Sequence, residues 1–369
     1  MDGNIVSAGD NRLEEYFKGK VLLEAMNRLE DFKGKVLSEA MNPHGCVFLT
    51  KKLGEMIPED IEMIYSAVKY HVGMLMVDEF GSKVIQKLFA VCEDKQMNKM
   101  VFRLTVVDIG LLTDICLDSL VSQSMQKLMD CITTQNQLHY VISAFQKIIV
   151  PLANHPIGST VILHYYIVFP HEAEPILGLI AQHLVKIVYS ETGSRLVQAL
   201  ISNVFTGQMR IVSRIMLNLR YMSMHRFGSE VVLHVIGLGL QGKIGCMIYC
   251  MRGCFDFMSI GEYSSNVVKK LIEVSKATDQ HMIIDEIFRS PDFCRVVHNP
   301  YGYSVVQSSK EYTRGTDLGK TLDRLILQHS DHFENQCPTK NDKKRKIKKR
   351  RKSWNHVLCR NIASFLRKF

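Results

Sequence analysis

Phe80-Gly-Ser-Lys-Val-Ile-Gln-Lys-Leu88 decides the fold, because relatives of this stretch recur along the whole chain. They read HGCVFLTKK from 44, LVSQSMQKL from 120, IGSTVILHY from 157 and TGSRLVQAL from 192. FGSEVVLHV follows from 227, YSSNVVKKL from 263 and YGYSVVQSS from 301. The second residue of each copy serves as a marker, at positions 45, 81, 121, 158, 193, 228, 264 and 302. The intervals are 36, 40, 37, 35, 35, 36 and 38 residues, a near-constant period of the kind that repeat architectures produce.

The columns of this alignment carry consistent chemistry. The marker is glycine in six copies, Ser264 in one and Val121 in one, which suits close helix packing or a turn into a helix. Serine follows it in six of eight copies, a residue favoured at helix N-termini. Two apolar residues come next at fixed places, as in Val84-Ile85, Val231-Val232 and Val267-Val268. Between markers the chain reads as further amphipathic helix, for example Ile61 to Tyr70 and Met282 to Phe288. Asn42-Pro43 and Asn299-Pro300 mark loops. Each unit is thus two or three short helices that cannot bury both faces alone, so neighbours must stack into a solenoid.

The ends differ from the middle. LEEYFKGKVLLEAMN from Leu13 and LEDFKGKVLSEAMN from Leu29 form a separate duplication, predicted as two amphipathic capping helices. Leu318 to His329 reads as a closing helix. The expected layout is an N-terminal capping segment over 1–40, eight repeats over 41–315, a C-terminal cap over 316–335 and a basic tail over 336–369. Nine positive charges fall between Lys343 and Lys352, where only Ile347 is uncharged. The net charge is +9, so the rest of the chain is formally neutral (9 − 9 = 0).

Ser82, Lys83 and Gln86 stand at helix positions i, i+1 and i+4. The serine and glutamine share a face and can reach one base edge together, while the residue between them can stack on a base. One such trio per unit is what a one-base-per-repeat reader needs. Here the sequence resembles the Pumilio (PUF) family, whose units run near 36 residues around a motif like GNYVIQKL. The resemblance covers roughly residues 40 to 315 and is best in FGSKVIQKL, TGSRLVQAL and YSSNVVKKL. It implies an all-α, right-handed α-solenoid of about eight Pumilio-like repeats with terminal capping helices.

Carried over by position, the implied RNA-binding trios are Cys46/Val47/Thr50, Ser82/Lys83/Gln86, Ser122/Gln123/Gln126 and Ser159/Thr160/Leu163. The other four are Ser194/Arg195/Gln198, Ser229/Glu230/Leu233, Ser265/Asn266/Lys269 and Tyr303/Ser304/Gln307. In the family, Ser or Cys with Gln favours adenine, Asn with Gln uracil, and Ser with Glu guanine. The trios at Ser82, Ser122 and Ser194 therefore imply adenine. Lys269 stands where a guanine reader has Glu, and Leu163 and Leu233 have no polar edge contact. No trio has the uracil set, so a UGU-containing target is not expected.

The function implied is sequence-specific binding of single-stranded RNA, at mRNA 3′-untranslated regions, with control of translation and message stability. The alternative is a degenerate solenoid serving as a protein-interaction or nucleolar rRNA-processing scaffold. The implied partners are mRNA and protein corepressors on the convex face, with the protein itself a monomer in the cytoplasm. The basic run also has the form of a nuclear-import signal or an RNA-backbone clamp. No apolar run reaches membrane-spanning length, and MDGNIVSAGD lacks signal-peptide layout, so a reducing compartment is expected.

No enzyme, cofactor or metal is expected. Cys246, Cys250 and Cys254 are spaced four apart, as if on one helix face, but zinc would need a fourth ligand. Cys92, Cys116 and Cys131 lie in apolar stretches, and the cysteines read as buried core thiols. Gly237 to Gly242 matches GxGxxG by letter but follows a predicted helix, so it reads as an inter-repeat loop. His155, His164, His171, His225 and His234 read as scattered, without metal-binding or catalytic spacing.

Overall fold

In five of the eight repeats an outer helix leads through a shorter middle helix into the helix that carries the marker and its trio. This is seen in a computed structural model that describes residues 29–119, 121–202, 208–240 and 242–330. Every regular element among the described residues is helical. They fall into two compact units, one ending at Ile180 and the other beginning at Ala181. The Leu13 copy of the N-terminal duplication and the basic run from Lys343 to Lys352 lie outside the described residues.

In the first unit the trio-bearing helices Pro43–Gly54, Gly81–Val91, Ser122–Asp130 and Pro156–Val168 pack one against the next. Behind them lie the middle helices Val36–Ala40, Val72–Val77 and Ile109–Leu117, and outside those Pro58–Val68, Asp94–Leu104 and Gln135–Asn154. The last of these runs for 20 residues because outer and middle helices have fused. Ile148 leaves helical geometry there, three residues before Pro151, whose ring clashes with the preceding turn. The second unit repeats the scheme. Its trio-bearing helices are Glu191–Ser202, Arg226–Gly237, Ser264–Val274 and Pro300–Tyr312, again in successive contact.

The paired apolar columns face inward. Val84, Ile85, Val231, Val232, Val267 and Val268 are fully buried, as are Leu88 and Leu271 one turn on. Each such side chain contributes about 1.5–3 kcal/mol of burial. Polar links also join neighbours. Buried Arg220 donates from Nε to the Cys250 carbonyl at 2.9 Å and from a terminal nitrogen to that of Arg252 at 3.1 Å. It thereby closes the C-terminal end of Lys243–Met251, where a cation suits the helix dipole.

The marker column has a steric cause. A Cβ on Gly45, Gly158, Gly228 or Gly302 would lie 2.2–2.6 Å from the carbonyl oxygen six residues earlier, on Glu39, Leu152, Met222 or Val296. At Gly81 it would meet the Leu75 side chain at 2.7 Å and the Leu75 carbonyl at 3.1 Å. Gly319 in the closing helix Asp317–Ser330 stands equally close to Thr313. Ser264 is the informative exception, since its hydroxyl donates to the Met258 carbonyl, again six residues back, at 2.6 Å. Contact between the marker and the middle helix is therefore kept either by having no side chain or by hydrogen-bonding to the carbonyl.

A capping column precedes it. Three residues before the marker, Asp78 accepts from the Gly81 N–H at 2.7 Å, Ser190 from Gly193 at 3.0 Å and Asn299 from Gly302 at 3.1 Å. Asp118 does the same for Val121 at 3.1 Å. These side chains satisfy N–H groups that the first helical turn leaves open. The serine after the marker falls in the first turn of its helix, from the first position at Ser122 to the fourth at Ser159, Ser194 and Ser229, rather than at the cap. The second copy of the N-terminal duplication is also not one helix. It is a 3-10 turn, Leu29–Phe32, and the short helix Val36–Ala40, separated by Gly34 at φ +83°. Val36–Ala40 serves as the first repeat's middle helix, since it supplies the Glu39 carbonyl that Gly45 meets.

Gly158→Ala forces a Cβ against the Leu152 carbonyl and is expected to destabilise the protein by about 1–3 kcal/mol, the usual range for overpacking. Gly237→Ala, where a Cβ meets nothing within 4 Å, is expected to be neutral or better. Urea unfolding of both variants checks this.

Candidate nucleic-acid interface

The helical period sorts the three trio columns by exposure. Val84-Ile85-type pairs point into the repeat, so the residue just before them points out. Val47, Lys83, Gln123, Thr160, Arg195, Glu230 and Asn266 are all exposed, with Val47 at 65% and the Arg195 side chain at 75%; Ser304 is half-buried. The third column is half-buried at Thr50, Gln86, Gln126, Leu163, Gln198, Leu233 and Lys269, and exposed at Gln307.

The first column is more deeply placed than a base-edge reader would be. Cys46, Ser122, Ser194, Ser229 and Ser265 are buried, Ser82 and Ser159 are half-buried, and Tyr303 alone is exposed. In six of the eight, the polar atom is occupied by backbone. Ser82, Ser159, Ser229 and Ser265 donate to the carbonyl three residues back, on Glu79, Pro156, Arg226 and Glu262. Ser194 donates to the Phe227 carbonyl at 3.1 Å, and Cys46 to the Phe80 carbonyl at 3.2 Å. Both acceptors are the residue before the next repeat's marker. In these two repeats the first column ties adjacent repeats together.

The third column also reaches sideways. Gln86 Nε2 donates to Ser124 Oγ at 2.9 Å and Lys269 Nζ to Ser304 Oγ at 3.1 Å, each in the following repeat. Gln198 Nε2 donates to Ser194 Oγ at 3.1 Å. Exposed Arg195 pairs with Glu191 one turn earlier at 2.6 Å, and Lys83 Nζ lies 5.3 Å from the Phe80 ring centroid.

Two histidine pairs, read from sequence as scattered, occupy repeated places. His164 and His234 each follow a third-column leucine, Leu163 or Leu233. His164 Nε2 lies 2.8 Å from Asp130 Oδ1 and His234 Nε2 lies 2.8 Å from Ser202 Oγ, in both cases on the preceding trio-bearing helix. His155 and His225 stand in the capping column. The signal available in the sequence was the Leu-His dipeptide at one fixed distance from its marker.

The cysteines divide more finely than expected. Cys46, Cys116 and Cys254 are buried, Cys92, Cys131, Cys246 and Cys250 half-buried, and Cys294 exposed. Burial pushes the Cys92, Cys116 and Cys254 thiols up to about 12, so they do not offer thiolates near neutral pH. Cys254 also leaves the expected helix face. Lys243–Met251 ends before it, and the chain turns at Gly253, φ +82°. Gly237 to Gly242 lies between Arg226–Gly237 and Lys243–Met251, a helix-to-helix connection with Gly239 and Gly242 at positive φ.

Comparison with known proteins agrees with this architecture. A family model described as the Pumilio-family RNA binding repeat matches residues 40–68, 71–105 and 257–288. Pumilio homolog 12 of Arabidopsis thaliana is 28% identical over 291 residues, covering 78% of this chain and 48% of the relative. The chain spans about half the length of the curated relatives it matches. The PUM-HD domain of S. pombe Puf1, solved in complex with RNA, superposes with a TM-score of 0.70 at 17% identity, covering 88% of this chain and 93% of that one. The Puf4 RNA binding domain, bound to the HO endonuclease RNA 3′ UTR recognition sequence, gives 0.56 at 21% identity, covering 80% and 93%. Repeat model, homologs and helical architecture coincide on the same stretch of chain, which carries repeats similar to those of the Pumilio family.

Proposed function

We propose that this protein binds single-stranded RNA sequence-specifically through its trio-bearing helices and so controls the translation and stability of cytoplasmic messages. The observation that carries the reading is the exposed second column beside a half-buried third column, recurring in seven of the eight repeats. A planar or long side chain flanked by a polar one suits a base that stacks on the first and hydrogen-bonds to the second. The solved relatives bound to RNA, one of them to a 3′ UTR sequence, support the same reading.

The base edge falls mainly to the third column, because most first-column hydroxyls are buried and engaged. Gln86 must exchange its bond to Ser124, a fully buried side chain, for one to a base. Gln126 has no side-chain hydrogen bond among the described residues and gives up nothing. It is the adenine reader with least to lose. Leu163 and Leu233 supply contact without edge recognition.

Arg195→Ala is expected to weaken binding to an adenine-rich oligonucleotide about tenfold or more, since base stacking is worth roughly 1–3 kcal/mol. It should change unfolding free energy by less than about 0.5 kcal/mol, because the Arg195–Glu191 pair is exposed. Ser194→Ala is expected to do the reverse, costing about 1 kcal/mol of stability by removing the hydrogen bond from its hydroxyl to the Phe227 carbonyl of the next repeat. Fluorescence anisotropy with urea unfolding checks both. Equal affinity of the Arg195 variant and the parent would remove Arg195 from the interface. If the parent bound adenine-rich and scrambled oligonucleotides alike, the protein-interaction scaffold would become the better reading.

Affinity is expected to fall linearly with salt on a log–log plot, as phosphate contacts release counterions. Deleting Asp342 to Phe369 should flatten that line and leave sequence preference intact. Loss of all binding on deletion would place recognition in the tail.

A further inference from the structure

A pocket of about 270 Å³ opens among Lys69, Tyr70, Lys99, Phe102 and Arg103, on the outer helices of the first unit. Lys69 and Tyr70 follow Pro58–Val68, and the other three sit in the last two turns of Asp94–Leu104. The trio columns of the same repeats lie on different helices, Gly81–Val91 and Ser122–Asp130. This pocket is therefore no part of the interface described above.

Its lining is three cations and two aromatic rings, with no carboxylate. Among the described residues none of the three cations is paired with an acid. The carboxylate on the neighbouring turn, Glu62, accepts from Ser66 Oγ and from Gln96 Nε2. The rings are open to solvent, Tyr70 at 62% and Phe102 at 43%. They are also held in place. The Arg103 guanidinium carbon lies 4.5 Å from the Tyr70 ring centroid, Lys69 Nζ lies 5.4 Å from it, and Phe102 meets Tyr140 edge-on at 5.3 Å. Tyr65, buried beneath Lys69, finds no hydrogen-bond partner for its hydroxyl among the described residues.

Three converging positive charges without a counterion favour an anion. Exposed aromatic rings and a guanidinium plane favour a flat, polarizable group beside it. A phosphate attached to a base satisfies both demands at once. An acidic peptide would satisfy the charges and leave the rings uncovered. The volume lies just under the range of drug-sized ligand pockets, so it fits one such unit rather than several. We propose that this pocket is a second site for single-stranded RNA, holding one nucleotide by its phosphate and base without regard to sequence.

The test uses the full chain and an all-uridine oligonucleotide carrying 4-thiouridine, which lacks the adenines expected to engage the trios. Crosslinks are mapped by mass spectrometry in the parent and in the Lys99→Gln/Arg103→Gln variant. The parent should crosslink at Tyr70 or Phe102, and the variant at least fivefold less. The variant's log–log salt slope for this oligonucleotide should be shallower by about 0.7 per lost phosphate contact. Absence of crosslinks at both rings would overturn the proposal, and so would equal yield in the variant. Anisotropy with an adenine-rich oligonucleotide on the same samples separates the two sites. Parent and variant binding it alike, within about twofold, supports independence, whereas a fivefold or greater loss would merge the pocket with the main interface. Failure of the parent to bind it counts against the main interface and leaves the crosslinking result to decide the pocket.

Discussion

Contact between the marker residue and the carbonyl six residues before it, seen in six of the eight repeats, is the constraint from which the repeat follows. A Cβ at Gly158 or Gly302 would stand 2.2–2.3 Å from that oxygen, so neither position can carry a side chain without movement. The middle helix and the trio-bearing helix are thereby fixed against one another over a very short connection. Ser264 shows that proximity, not glycine itself, is what the fold requires, because its hydroxyl turns the contact into a hydrogen bond. The side chain three residues before the marker then holds the marker's N–H, most directly at Asp78 and Asn299. Cap, marker and carbonyl set the rotation of the following helix, and that rotation decides which columns reach solvent.

The consequence for function is a division of labour within each trio. Rotation buries five of the eight first-column residues, among them Ser194 and Cys46, which tie one repeat to the next, and presents all of the second column but Ser304 to solvent. The third column lies between, half-buried and able to reach either a neighbour or a ligand. Gln86 and Lys269 reach the neighbour in the free protein, while Gln126 does not. On the proposed function, binding energy on this surface is a difference between bonds made to RNA and bonds given up to adjacent repeats. Repeats with similar sequences need not contribute equally.

The repeat period, the helical class and the buried apolar pair were legible in the sequence, because each depends on residues at fixed spacing within one unit. The depth of the serine column was not, since it depends on the carbonyls of Phe80 and Phe227, which sequence alone does not place. The capping column was within reach. Asn42, Asp78, Asp118, Ser190 and Asn299 all stand three residues before a marker, and an alignment extended by three positions would have shown it. The histidines were missed for a related reason: searching for catalytic or metal spacing within one segment hides residues that share a column across repeats. The LEDFKGKVLSEAMN stretch misled because its apolar spacing suits one helix, yet Gly34 takes a left-handed backbone that breaks it in two.

The central claim is that the columns, in the register set by the markers, select bases. Selection of bound sequences from a random RNA pool, run on the parent and on Lys269→Glu, tests it most directly. On the proposed reading, with the RNA antiparallel to the protein as in the Pumilio family that the sequence resembles, the trios at Ser194, Ser159, Ser122 and Ser82 would specify, 5′ to 3′, adenine, any base, adenine and adenine. The parent should enrich that core. The variant, whose carboxylate at 269 stands where Lys269 now meets Ser304 at 3.1 Å, should add guanine two positions 5′ of the first adenine. A parent without the adenine core, or a variant without the added guanine, would contradict the assigned register.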